Sequence, residues 1–138
     1  MDALADALPR IEQRLAALNP APTRDIPILI GGLGERKTLR MVAAHADCWH
    51  AFFPEHPDEL EPKVAALLRW CDELGRSPSE VEWGVGVEPG DLDRFLAQDA
   101  SVYVEMGFTQ FTLGFNGPEW SVERGKEWLA WRDEANRP

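Results

Sequence analysis

Ile26-Pro27-Ile28-Leu29-Ile30-Gly31-Gly32-Leu33-Gly34-Glu35 is an apolar run that ends in glycines and opens onto a helix-forming stretch. Its first five residues predict a short buried strand, with Pro27 near the start, where a missing N–H is tolerated. Residues 35–46 predict a helix, because Leu39, Val42, Ala43 and Ala46 recur on one face. The run therefore reads as a strand turning through glycines into a helix. Such a turn exposes backbone N–H groups, and the helix N-terminus adds unpaired donors and about half a positive charge. Together these suit a phosphate. The same glycines would also serve a turn that binds nothing, and Glu35 would have to point its charge away from an anion.

The pattern recurs down the chain. Cys48-Trp49-His50-Ala51-Phe52-Phe53 predicts a second strand, ended by Pro54, His56 and Pro57. Residues 58–74 predict an amphipathic helix whose buried face is Leu60, Val64, Leu67, Leu68, Cys71 and Leu74. Pro62 falls near its first turn and Gly75 caps its end. After a turn at Ser77-Pro78, Val81 to Val87 predicts a third strand. Residues 91–106 predict a helix whose apolar stripe is weakened by Asp99. Phe108 to Phe115 predicts a fourth strand, with Thr109, Phe111, Leu113 and Phe115 alternating against Gln110, Thr112 and Gly114. Residues 119–135 predict a last helix carrying Trp128, Leu129 and Trp131. Ahead of everything, Leu4, Leu8, Ile11, Leu15 and Leu18 mark a helix over 3–18, with Pro9 as a possible start. Asn19-Pro20-Ala21-Pro22 ends it. A leading helix followed by four strand–helix units predicts an α/β fold in which a mostly parallel sheet is packed against helices.

The bulk figures agree with one domain over residues 1–138. The hydrophobic fraction is 44%, enough for a folded core. Lys and Arg total 14 against 24 Asp and Glu, a formal charge of −10, which repels a phosphate backbone and argues against general nucleic-acid binding. The two cysteines, Cys48 and Cys71, form neither a CxxC pair nor a disulfide framework, and read as reduced, buried thiols of a cytoplasmic protein. No signal-peptide pattern opens the chain, and no apolar run approaches the roughly 20 residues of a membrane helix.

Residues 26–50, from Ile26-Pro-Ile-Leu-Ile-Gly-Gly-Leu-Gly through Thr38-Leu-Arg-Met-Val-Ala-Ala-His-Ala-Asp-Cys-Trp49-His50, resemble the luciferase-like monooxygenase family, most of all its deazaflavin-dependent branch. Leu74-Gly75-Arg76-Ser77-Pro78 is similar to that family's Gly-Arg-x-Pro segment, and Met106-Gly107-Phe108 to the approach to its last barrel strand. The resemblance implies a (β/α)₈ barrel with a cofactor at the C-terminal ends of the strands. It implies an oxidoreductase or monooxygenase using deazaflavin coenzyme F-420 or FMN on a small-molecule substrate. Gly31, Gly32, Leu33 and Gly34 would hold the cofactor phosphate through backbone N–H groups, and Trp49 and His50 would line the substrate or ring side. A full barrel takes about 250 residues, so 138 residues correspond to a partial barrel of about four strand–helix units. Its open edges call for a second copy or a partner chain that completes the ring. The alternative is a half-barrel assembly module without catalysis, which forms a homodimer.

Two of these residues also have plainer readings. Trp49 suits a core or interface aromatic as well as a site wall. His50 suits a hydrogen-bonded structural role as well as acid–base work, and is the one candidate catalytic residue. His45, His50 and His56 lack a metal spacing, so no metal is expected. Asp58, Glu59, Glu61, Asp91 and Asp93 read as charges favourable to helix starts. Trp120, Trp128 and Trp131 read as the cover of a barrel end or of an interface.

Overall fold

Strand residues alternate between the two faces of a sheet, and among the described residues the helices pack against one of them. In a computed structural model describing residues 2–98, 100–114 and 121–137, the strands are β1 (Leu29–Gly31), β2 (Cys48–Phe52), β3 (Glu82–Val87) and β4 (Gln110–Leu113). They form one parallel sheet in the order β1-β2-β3-β4. The register pairs Ile30 with Trp49, Trp49 with Trp83, and Val85 with Phe111. Each crossover is helical, through α2 (Thr38–His45), α3 (Glu61–Leu74) and the pair α4 (Leu92–Ala97) and α5 (Ser101–Met106). α1 (Asp2–Ala16) precedes the sheet and α6 (Val122–Ala135) follows it. The chain is thus an α/β protein with a four-stranded parallel sheet.

The core lies between the sheet and its helices. Ile30, Trp49, Ala51, Trp83, Val85 and Val87 point into it from the strands. Leu39, Val42, Ala43 and Ala46 meet them from α2 and its end. Trp49, Trp83 and Phe108 form one aromatic group, with centroids 5.4–5.9 Å apart. Phe95 of α4 is the hub of another, touching Phe53, Tyr103, Phe111, Trp128 and Trp131. Trp128 and Trp131 stack on each other at 4.9 Å, so they cover the end of this core.

Several expectations change. The strand predicted over 26–30 is shorter and starts at Leu29. Only Ile30 of that run is fully buried; Ile26 precedes the strand and is about half exposed, and Leu29 is half exposed because it points to the face that carries no helix among the described residues. Pro9 lies inside α1 rather than at its start. On α3, Leu68 and Leu74 are exposed, and the buried stripe is narrowed to Ala66, Leu67 and Cys71. The helix predicted over 91–106 is two helices. Gln98 takes extended backbone angles after α4, and its side chain accepts a hydrogen bond from Tyr103 Oη at 3.0 Å. Asp99, Phe115 and Trp120 lie outside the described residues. No helix among the described residues is long and apolar enough to cross a membrane.

Candidate functional site

The glycine turn sits at the C-terminal end of β1, the end of a parallel sheet at which ligands gather in α/β folds. Its shape depends on two glycines. Gly32 has φ +127°, which a side chain would strain. At Gly34 a Cβ would lie 2.8 Å from Thr38 Oγ1, inside contact distance. The turn is clamped from three sides. The Gly32 amide donates to the His50 carbonyl (3.1 Å), extending the β1–β2 ladder by one bond. Trp49 Nε1 donates to the Gly32 carbonyl (2.9 Å). Leu39 N–H donates to the Gly34 carbonyl (3.0 Å), anchoring the turn to α2.

These bonds decide what the turn can offer. The Gly32 amide, one of the four donors expected for a phosphate, is spent within the sheet. None of the backbone bonds around the turn engages the Leu33 or Gly34 amide among the described residues. The α2 N-terminus just beyond has no side-chain cap and no acidic residue in its first turn, and Arg36 and Lys37 precede it. That is the reverse of the usual arrangement, in which carboxylates offset the positive helix end. Glu35, the one acid nearby, is turned into an ion pair with Lys63 (2.6 Å), whose hydrogen bond lowers its pKa. Trp70 Nε1 holds the Glu35 carbonyl at 2.7 Å. The Glu35 charge is thereby matched by Lys63 rather than left facing the turn.

Trp49 does not line the open face with His50. Neighbours on a strand point to opposite faces, and Trp49 is wholly buried on the helix side. Its position in the site is beneath the turn, through the bond to Gly32. His50 lies on the open face, half-buried, with its ring across β3. A Cβ at Gly86 would fall 2.3 Å from His50 Cε1, so the bare glycine is what lets the ring lie flat. The same face carries Cys48, whose Sγ donates to Gln110 Oε1 at 3.4 Å, so Gln110 of β4 joins the group. Sequence reading passed over Gln110. The signal was the alternation that puts Gln110 and Thr112 of β4 in phase with His50 and Phe52 of β2.

Burial raises the thiol pKa of Cys48, helped by Glu82 and Asp47, and likewise that of Cys71, so both are held as thiols. Both are free and buried. His45 pairs with Glu12 at 2.9 Å, and no cluster of metal-ligating side chains occurs among the described residues.

Among known proteins, no family model matches the chain. An uncharacterized protein of Mycobacterium bovis and uncharacterized proteins of two strains of Mycobacterium tuberculosis are each 34% identical to it over 102 residues. The match covers 73% of this chain and 32% of each relative, so the chain spans about a third of the length of the relatives it matches.

Proposed function

We propose that the chain provides the phosphate-binding end of a flavin-type cofactor site in an oxidoreductase of the luciferase-like kind, with its sheet forming half of a (β/α)₈ barrel. The observation that carries this reading is the uncapped, acid-free start of α2 next to a clamped glycine turn, in a chain whose net charge is −10. The Leu33 and Gly34 amides and the helix end supply donors, and Arg36 supplies charge. When bound, a flavin or deazaflavin would supply hydride-transfer chemistry, and the residues of this chain would hold its phosphate end and orient it. His50, Cys48 and Gln110 lie on the open sheet face, and His50 is the group there suited to move a proton. Trp49 positions the turn and takes no part in contact with substrate.

The test is a fluorescence titration of the purified chain with FMN and with coenzyme F-420. Binding of one of them is expected. Gly34→Val should abolish it, since the added side chain would crowd Thr38. Arg36→Glu, which crowds nothing, should weaken it about fivefold, corresponding to roughly 1 kcal/mol for a charge at a helix end. Gly90→Ala, with open space around it, should leave it unchanged. A folded chain that binds neither cofactor, or binds one regardless of Gly34 and Arg36, would rule the reading out.

A further inference from the structure

A basic patch adjoins the glycine turn. Arg36 precedes α2, Arg40 lies in its first turn, and Lys63 and Arg69 belong to α3, which packs beside α2. Trp70 draws these residues together. The Arg40 and Arg69 guanidiniums stand 5.7 and 5.4 Å from the centroid of its indole. Its Nε1 donates to the Glu35 carbonyl at 2.7 Å. Lys63 reaches the Glu35 carboxylate at 2.6 Å, and Lys63 first, with Arg69 after it, lowers the pKa of that carboxyl. Glu35 follows Gly34 directly, so the patch is fastened to the turn itself. Two acids are matched within it, Glu35 by Lys63 and Glu73 by Arg69 at 3.8 Å. Arg36 and Arg40, both exposed, have no ion-pair partner among the described residues, and Glu61 and Asp72 of α3 pair with none of the cations. The patch therefore keeps an excess of positive charge in a chain whose net charge is −10. Like charges held close repel one another, and an anionic ligand relieves that repulsion. A guanidinium stacked on a ring also keeps its N–H edge free for carboxylates.

We infer that this patch receives an anionic chain that continues from the phosphate held at the turn. The inference rests on the phosphate reading of the turn and narrows it. FMN ends at its phosphate and has nothing to place here. Coenzyme F-420 continues beyond its phosphate into a chain of γ-linked glutamates, each bringing a carboxylate. Arg36 stands nearest the turn in sequence, and Arg40 and Arg69 offer guanidinium edges to the carboxylates beyond it. The ligand assigned to the turn is thereby the deazaflavin rather than FMN. Contacts of this exposed kind are individually weak and screened by ions. Affinity should therefore rise with the number of carboxylates and fall with salt. All of these residues lie on or beside the helices and none on the sheet face of His50, so the patch contributes affinity and not chemistry.

Fluorescence titration of the 138-residue chain with two deazaflavins tests it: coenzyme F-420 with a tail of several glutamates, and the same coenzyme with none. The tailed form should bind about tenfold tighter at low ionic strength, and the advantage should shrink at high salt. Arg40→Glu and Arg69→Glu each change an exposed side chain, so circular dichroism should be retained. Each should cost the tailed form about threefold in affinity, and the two together should erase its advantage. Affinity for the tail-less form should change little in either variant. Equal binding of the two deazaflavins, or an advantage that survives both substitutions, would overturn the patch as the seat of the tail and leave the phosphate reading standing. Binding of neither would sink the phosphate reading, and this inference with it.

Discussion

Replacing Trp49 by Phe separates a residue that lines a site from one that supports it. Trp49 is wholly buried, lies 5.4 Å from the Phe108 ring and 5.9 Å from the Trp83 ring, and donates Nε1 to the Gly32 carbonyl at 2.9 Å. The substitution removes that donor and leaves the carbonyl without its partner, a loss of roughly 1–2 kcal/mol. Shrinking the indole to a benzene ring opens a gap among rings that cannot fully collapse, adding about 1–2 kcal/mol on the scale of core aromatic truncations. The expected total is about 2–4 kcal/mol, a large share of the 5–15 kcal/mol typical of a domain. Urea denaturation followed by circular dichroism reads it as a lower midpoint with an unchanged slope, and thermal melting as a drop of roughly 10 °C. Cofactor affinity should fall too, since the Gly32 carbonyl loses its clamp. A loss of stability under about 0.5 kcal/mol would refute the reasoning. It would mean that Trp49 stands at a surface, where a ligand contact and not packing explains it.

Two further predictions rest on separate features. Gly86→Ala brings a Cβ to 2.3 Å from the His50 ring and must displace it, so the variant should be destabilised by about 1–3 kcal/mol. In the His50→Ala background the same change should cost little, and a double-mutant cycle by urea denaturation would detect the coupling. Burial pushes the Tyr103 hydroxyl from 10.0 up to about 12. Between pH 10 and 12 the unfolded chain releases this proton while the folded chain keeps it. The stabilisation is therefore complete below pH 10 and declines as pH rises towards 12, by roughly 1–3 kcal/mol. Tyr103→Phe should flatten that decline in a pH series of urea midpoints.

Helical spacing and turn chemistry were enough to place the elements. The apolar positions of residues 39–46 mark α2, and all four are buried where the pattern puts them. Gly75 ends α3 with φ +68°, as a glycine after a helix should. The alternation of short strands with helices predicts the parallel order that the sheet shows. Boundaries were less legible where local pattern competes with tertiary contact. Ile26 and Leu29 are as apolar as Ile30, yet Ile26 falls before the strand begins and Leu29 points away from the helices that bury Ile30. The break between α4 and α5 depends on Gln98 and Tyr103, whose bond spans two helices and leaves no periodic trace.

The glycine turn itself was visible in the sequence, because Gly31-Gly32-Leu33-Gly34 names the backbone freedom it needs. What each of its groups does was set by the fold. A hydrogen bond to the His50 carbonyl consumes the Gly32 amide, and that partner is supplied by the next strand. Trp49 and His50 are adjacent in sequence, but the pleat sends one beneath the turn and the other onto the open face. Gln110 reaches Cys48 across 62 residues, a pairing that only the β2-β3-β4 register creates. The sequence determined the elements and their order, since propensity and periodicity act over a few residues. The tertiary structure alone decided which groups are spent, which are matched and which face stays open, since those depend on what stands across from each residue in space.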